Sequence, residues 1–232
     1  MTALIPRLLS IAQMIEPGTV ADIGADHALL GIYLVQKQIA PRAIVTDINC
    51  GPLTRAAAAV KSSAVSDHIE VRPGDGLRPI ADHEVDTIVI AGMGGTVISE
   101  IIAADWEKSE SFSRFVLQPM TKPEVLRDVL ARRGWKILQE QAVLDRDQWY
   151  VIILCCPGQE PYTLSDLELE VGPHLLRADT AMKRDYLAHW RNRYAKVHAS
   201  LMNSTRRENI QHIRACETKI ARLEELLNEA QS

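Results

Sequence analysis

The chain has four cysteines, Cys50, Cys155, Cys156 and Cys216, with no C-x-x-C pair and no cluster of histidines beside them. That spacing excludes the common zinc frameworks and is expected of reduced thiols in a cytoplasmic protein, so no metal is expected. Apolar runs are broken by charge well short of the roughly 20 residues that span a membrane, and no membrane partner is expected. The N-terminal stretch carries Arg7 inside its apolar run and lacks a small-residue cleavage site, so it does not read as a signal peptide. Repeats and low-complexity tracts are absent. So is a Gly-rich loop ending in Lys-Ser/Thr, which excludes a P-loop. The first strand is not followed by the three glycines of a dinucleotide fingerprint, which argues against an NAD site.

Apolar residues make up 47% and charged residues 24%, enough to fill a core and inconsistent with wholesale disorder. A length of 232 residues suits one ordinary domain with an appendage. Charge is unevenly spread. Between Arg177 and Arg222 eleven basic residues stand against four acidic ones, a net +7; the chain totals −4, so the remainder carries −11. An acidic body with a basic tail implies separate tasks for the two parts.

Leu4, Leu8, Ile11, Ala12 and Ile15 recur at helical spacing up to the stop at Pro17-Gly18. Strands are predicted at 19–24, 42–48, 85–92, 114–119, 135–145 and 148–156, a short strand and turn at 69–76, and helices at 27–38, 51–63, 96–104 and 122–134. This alternation predicts an α/β fold: a Rossmann-like, doubly wound, mostly parallel seven-stranded sheet, with an antiparallel edge strand from the final hairpin. Residues 157–162 read as a linker, which gives a first domain at 1–158 and a helical one at 163–232. In the second, Leu187, Trp190, Tyr194, Val197 and Leu201 step by three and four, as do Ile213, Cys216, Ile220, Leu223 and Leu227. Two short heptad seams, with Asn203 to Thr205 as turn and cap, predict an antiparallel coiled-coil hairpin. The seams leave open whether the coil pairs within one chain, as a monomer, or between two, as a weak homodimer.

Ligands of doubly wound sheets sit at the carboxyl ends of the strands. The first such turn, DIGADH (22–27), holds the single glycine Gly24. Asp47 ends the second strand, where an acidic side chain can accept both hydroxyls of a ribose. Asp75 lies between two glycines in PGDGL (73–77), placed for an exocyclic amine such as that of adenine. Either Asp is equally a turn or cap residue. A site rich in Asp and poor in Lys suits a cationic ligand without phosphate. The combination resembles S-adenosylmethionine-dependent methyltransferases of the Rossmann-like class.

Within that class, VADIGADHALLGIYL, GDGL, IAGMGGTVI, VLQP and LRDVLARRGWKILQE, in this order, resemble the bacterial tRNA (adenine22-N1)-methyltransferase family. The resemblance covers about residues 4–155, and the helical tail is similar to that family's C-terminal coiled-coil domain. It implies transfer of a methyl group from S-adenosyl-L-methionine to N1 of an adenine in the D-arm of tRNA. Two turns depart from the family pattern. Leu29 and Gly31 replace a Tyr and a Pro, and Met120 replaces an Asn. These departures support a second reading, a non-catalytic RNA-binding member of the fold; a third is a small-molecule methyltransferase whose coil only dimerises.

The cofactor contacts expected on this basis are Asp22, Gly24, Asp26, Asp47, Ile48, Asp75, Gly76 and Ala91. Amino-group methylases carry an Asn/Asp-Pro-Pro-aromatic motif after the fourth strand. Here Gly92, Met93, Gly94 and Gly95 offer backbone, space and one apolar side chain, so Gly92 and Met93 are read as the base pocket. Asp26 is the catalytic candidate, stabilising the methylated cation or taking a proton from N6, or else the cap of the next helix. His27 is a general base or RNA contact, or a packed helix-start residue. Arg7 reaches an RNA phosphate or lies on its helix's wet face. Lys183, Arg184, Arg191, Arg193, Lys196, Arg206 and Arg207 form the expected tRNA grip, or a solvated face of the coil. The stripe Tyr186, Trp190 and Tyr194 fits a helix seam better than an RNA stack. Trp149 and Tyr150 fit edge or core packing better than base stacking.

Overall fold

The structure, a computed structural model, describes residues 4–177, 181–203 and 209–229. Its contacts separate two compact units, Met1–Thr163 and Leu164–Ser232.

In the first unit α1 (Pro6–Gln13) leads into β1 (Val20–Ile23), α2 (Leu29–Gln36), β2 (Ala43–Asp47), α3 (Cys50–Lys61) and β3 (Ile69–Pro73). There follow β4 (Thr87–Met93), α4 (Gly95–Ala103), α5 (Trp106–Glu110), β5 (Arg114–Pro119), α6 (Pro123–Arg133), β6 (Lys136–Asp145) and β7 (Gln148–Cys156). The sheet order is β3-β2-β1-β4-β5-β7-β6. Strands β1 to β5 are parallel; β7 runs antiparallel to β5 and β6, so the hairpin closes that edge. β1 pairs with both β2 and β4, and the chain reverses its direction of travel there. This is the switch point at which doubly wound sheets bind ligands.

Strands β1 and β2 are buried along their whole length, as parallel strands covered on both faces must be. One core joins Ile11, Leu30, Leu34 and Val60 of α1 to α3 with Val45, Val89, Val116 and Ile152 of the sheet. The alternate residues Ile88, Ile90, Phe115 and Leu117 point to the other face and are equally buried, with Ile98, Ile102, Leu126 and Leu130 of α4 and α6. The Trp135 ring lies 4.8 Å from Phe115 and 5.7 Å from Trp106. The ion pair Arg127–Glu140, at 2.7 Å, is fully buried between α6 and β6.

Several boundaries differ from the periodicity. The first helix spans Pro6–Gln13, with Pro6 at its start as fits a residue without an N–H. The helix expected from residue 27 begins at Leu29, because Ala28 adopts a left-handed backbone (φ 51°) and leaves His27 in the turn. Helix α5 escaped the pattern because five residues are too few to show a period; Asp105 caps it through Lys108 N–H. After β3 the chain is held by Arg72, whose fork meets both Glu84 oxygens at 2.7 and 2.8 Å and the Pro79 carbonyl at 3.0 Å. That fork holds the Glu84 carboxyl down to about 2.

The second unit contains α7 (Asp166–Val171), α8 (Pro173–Arg177), α9 (Ala181–Met202) and α10 (Ile210–Glu229). Ser165 and Glu168 form a capping box at the start of α7, a helix too short for the heptad pattern to reveal. Tyr186, Leu187, Trp190 and Tyr194 are buried with Cys216, Leu223 and Leu226. The aromatic stripe therefore packs as a seam. Tyr186 hydroxyl donates to the Val171 carbonyl at 3.0 Å, and Glu170 accepts from Tyr194 and, at 2.7 Å, from Lys219. Val197 is 44% exposed despite its heptad position, and Met202 and Ile210 are exposed too. Among the described residues, α7 bonds to Tyr186, Tyr194 and Lys219, which lie away from that exposed end of the pair. The expected cap at Asn203 to Thr205 runs into residues outside the described set.

Candidate active site

A cavity of about 590 Å³ opens at the carboxyl ends of β1 to β4, within the size range of small-molecule sites. Of the residues expected to bind cofactor or base, its wall includes Gly24, Asp47, Ile48, Asp75, Gly76 and Met93. Asp22, Asp26, Ala91 and Gly92 are not on that wall.

Each turn is shaped locally. Gly24 has φ +76°, and its N–H and that of Ala25 donate to the Thr46 carbonyl at 2.7 and 3.0 Å, binding the first turn to β2. Asp47 is buried; its Oδ1 accepts the Asn49 N–H at 2.7 Å, leaving Oδ2 for a ligand. Asp75 is half exposed and pairs with Arg78 at 3.2 Å. Asp22 is 7% exposed, and burial pushes its carboxyl up to about 7.

The far wall was not anticipated. It comes from α4 and α5 through Val97, Ile101, Ala104 and Lys108. Val97, Ile101 and Ala104 lie on one helix face, a spacing that in sequence looks like core. Their signal is exposure: Val97 is 45% and Ile48 63% exposed, both large apolar residues facing the cavity. Arg78 is paired with Asp75, and Lys108 with Asp82 at 3.0 Å, so both cations on the wall are neutralised. The arrangement fits a flat, phosphate-free ligand with hydroxyls and positive charge.

Asp26 accepts from Arg55 Nε at 2.6 Å and lies 3.3 Å from His27 Nε2, all three about half exposed. It does not cap α2, whose N-cap is Ala28 without a side-chain bond. Gly92 sits at a bulge where the β4–β5 register shifts, with φ +82°. Its N–H donates to Gln118 Oε1 at 3.1 Å. Arg7 also donates to Gln118 and lies 5.5 Å from the Tyr150 ring centre, so it turns inward rather than out to solvent. Met120 N–H donates to the Met93 carbonyl at 2.7 Å, a backbone contact independent of side-chain identity. Leu29, 39% exposed, opens α2.

The basic residues of the second unit are less uniform than their sequence suggests. Arg184, Arg193 and Lys196 are exposed, Arg193 lying 4.8 Å from the Trp190 ring centre. Arg191 reaches Glu224 at 3.8 Å. Lys183 lies in α9, and Arg206 and Arg207 fall outside the described residues. Among the described residues no group of three His, Cys, Asp or Glu could hold a metal ion, and no helix is long and apolar enough to cross a membrane.

A single-glycine first turn, an acid ending β2 and a cavity without a free lysine define a Rossmann-like protein with a nucleoside-type site. The family model described as tRNA (adenine(22)-N(1))-methyltransferase matches residues 20–225, and the chain belongs to that family. The tRNA (adenine(22)-N(1))-methyltransferase of Bacillus subtilis (strain 168) is 34% identical over 189 residues, covering 79% of this chain and 78% of its own length. An uncharacterized protein of Listeria monocytogenes serotype 4b superposes with a TM-score of 0.86 at 34% identity, covering 97% of this chain and 100% of that one. TrmK of M. capricolum, solved with the cofactor product S-adenosyl-homocysteine, gives 0.77 at 25% identity, covering 98% of this chain and 99% of that one.

Proposed function

We propose that this protein transfers the methyl group of S-adenosyl-L-methionine to N1 of an adenine in tRNA, adenine 22 by the names of its relatives, with the base presented at residues 91–93. The observation that carries the reading is the cavity at the switch point, acidic where a ribose and an amine need acceptors and apolar where a purine needs walls, in a chain of this family.

When bound, S-adenosylmethionine supplies a methyl already activated by its sulfonium. The rest falls to the protein's own residues. Asp47 would hold the ribose and Asp75 the adenine amine, with Ile48 and Val97 as the apolar walls. Gly76 keeps the turn after β3 close to α4, since a β-carbon there would lie 3.2 Å from Ile101. Asp22, Asp26 and Ala91 complete the proposed cofactor set from outside the cavity wall.

N1 lies on the Watson–Crick edge, so the base must be unpaired or extruded to be reached. Its lone pair needs no general base before attack. Positioning and exclusion of water then supply the acceleration. Gly92 leaves room for the ring, and Met93 separates base from cavity. Asp26, held by Arg55, would stabilise the cationic product or take the N6 proton. His27 and the exposed Arg184, Arg193 and Lys196 would meet tRNA phosphates, with Lys183, Arg191, Arg206 and Arg207 adding to the same grip, a term that weakens with salt.

The test is transfer of label from S-adenosylmethionine to tRNA followed by nucleoside analysis. The expected product is 1-methyladenosine. Measurable cofactor binding without that product would overturn the reading in favour of a non-catalytic RNA-binding protein.

A further inference from the structure

Arg7 stands 111 residues from Gln118, yet one amide oxygen joins them at the β4 turn. Arg7 Nη1 donates to Gln118 Oε1 and to Met120 Sδ at 3.5 Å. The same Oε1 accepts the Gly92 N–H at 3.1 Å. Gln118 is completely buried, and its amide nitrogen donates to the Pro119 carbonyl at 3.1 Å, which fixes the orientation of the amide. Tyr150 supports the guanidinium, 5.5 Å from its ring centre. The guanidinium is thus held through one nitrogen, while Nε and Nη2 have no hydrogen-bond partner among the described residues. Those two N–H groups form one edge of the fork, the geometry that takes two oxygens of a phosphate. The space above Gly92 is open: a β-carbon there would have only Arg7 Nη1 within 4 Å, at 3.8 Å, and Arg7 itself is partly exposed.

We propose that Arg7 anchors a backbone phosphate of the nucleotide whose base is methylated, with Gln118 as the residue that positions it. The proposal rests on the tRNA reading above. Charge selects phosphate over base as the partner. Methylation at N1 leaves the ring positive, and an unneutralised guanidinium beside it would oppose that step. A phosphate on the free edge cancels the opposition and fixes where the extruded nucleotide stops. The exposed Arg184 and Lys196 of the helical unit have no buried side-chain partner among the described residues and attract the tRNA as a whole.

The experiment is a cycle between protein and RNA, using the full-length chain and tRNA ligated with a neutral methylphosphonate 5′ or 3′ of the target adenosine. With the natural protein, one of the two substitutions is expected to lower kcat/KM by about 10- to 100-fold, the size of a charge-assisted hydrogen-bond pair. In Arg7→Gln, which should retain cofactor affinity, the same substitution should cost almost nothing further. If the natural protein is indifferent to both substitutions, the anchor is wrong whether or not the variant folds. Losses that multiply in Arg7→Gln also overturn it. Absence of any transfer to unmodified tRNA overturns the proposed function, and the anchor with it.

Discussion

The methyl of Met93 lies where a side chain on Gly24 would begin: a β-carbon at Gly24 would be 2.1 Å from Met93 Cε. This contact couples the turn after β1 to the turn after β4, the two that flank the switch point. Gly24 is at φ +76°, so alanine there also carries left-handed strain. Met93 Cε is the free end of a flexible side chain and can yield; the site it yields into is the one proposed for methyl transfer. Gly24→Ala should therefore cost about 1–2 kcal/mol of stability but a disproportionate share of kcat/KM, about tenfold or more by displacement of a group at the reacting centre. Adding Met93→Ala, which removes the obstructing atoms, should recover part of the loss. Urea titrations and single-turnover assays on the two single variants and the double variant measure both effects; purely additive kinetics would show that the contact does not matter.

Gly95 is required for a different reason. A β-carbon there would stand 2.2 Å from the Lys122 carbonyl oxygen, and the Gly95 N–H already donates to the Thr121 carbonyl at 2.7 Å. Backbone presses on backbone, so no rotamer change relieves the clash. Gly95→Ala should lose about 2–3 kcal/mol of stability by overpacking. Gly94→Ala, which meets only Thr121 Oγ1 at 3.2 Å, should lose less than about 1 kcal/mol. Equal midpoints for the two variants in urea would contradict this division of labour within the glycine run.

The sequence carries much of the site but not all of it. Gly24, Asp47 and Asp75 were legible because strand ends show in the alternation of β-branched runs with turns, and ligands of such sheets collect there. Val97 and Ile101 were not, because an i, i+4 apolar pair on a helix has the same pattern whether it faces core or cavity. Asp26–Arg55 and Arg7–Gln118 are separated by 29 and 111 residues, and no local period encodes such pairs. Helices α5, α7 and α8 leave no period in the sequence because one or two turns carry too few residues to establish 3.6-residue spacing. Val197 shows the reverse error: the heptad was real, but the residue lies towards the exposed end of the helix pair.

Asp47 offers a direct test of the cofactor site. Its Oδ1 is engaged by Asn49 N–H, so replacement by alanine removes both a turn bond and the free Oδ2. Asp47→Asn keeps an oxygen for Asn49 and loses only the charged acceptor. Alanine should weaken S-adenosylmethionine binding by about 10- to 100-fold, and asparagine by less, as expected for one or two hydrogen bonds to a charged group. Titration calorimetry gives both affinities, and an unchanged value for alanine would remove Asp47 from the site.

Asp22 makes stability depend on pH with a sign opposite to that of most carboxylates. Burial raises its pKa from 3.8 to about 7, so across that window the folded chain keeps a proton that the unfolded chain has released. Folding stability contributed by this group is therefore fully present below 3.8 and is lost as pH rises towards about 7, after which the curve is flat. Relative to Asp22→Asn, which cannot titrate, the natural protein should lose about 2–4 kcal/mol between pH 4 and pH 8. Glu84 works the other way: the Arg72 fork lowers its carboxyl to about 2, so its contribution is present above the ordinary value of 4.5 and disappears in acid. Both proteins carry Glu84, so its effect cancels in their difference, and urea titrations of both at intervals from pH 4 to pH 8 isolate Asp22. Parallel stability curves for Asp22→Asn and the natural protein would mean that the Asp22 carboxyl is not held protonated by its surroundings.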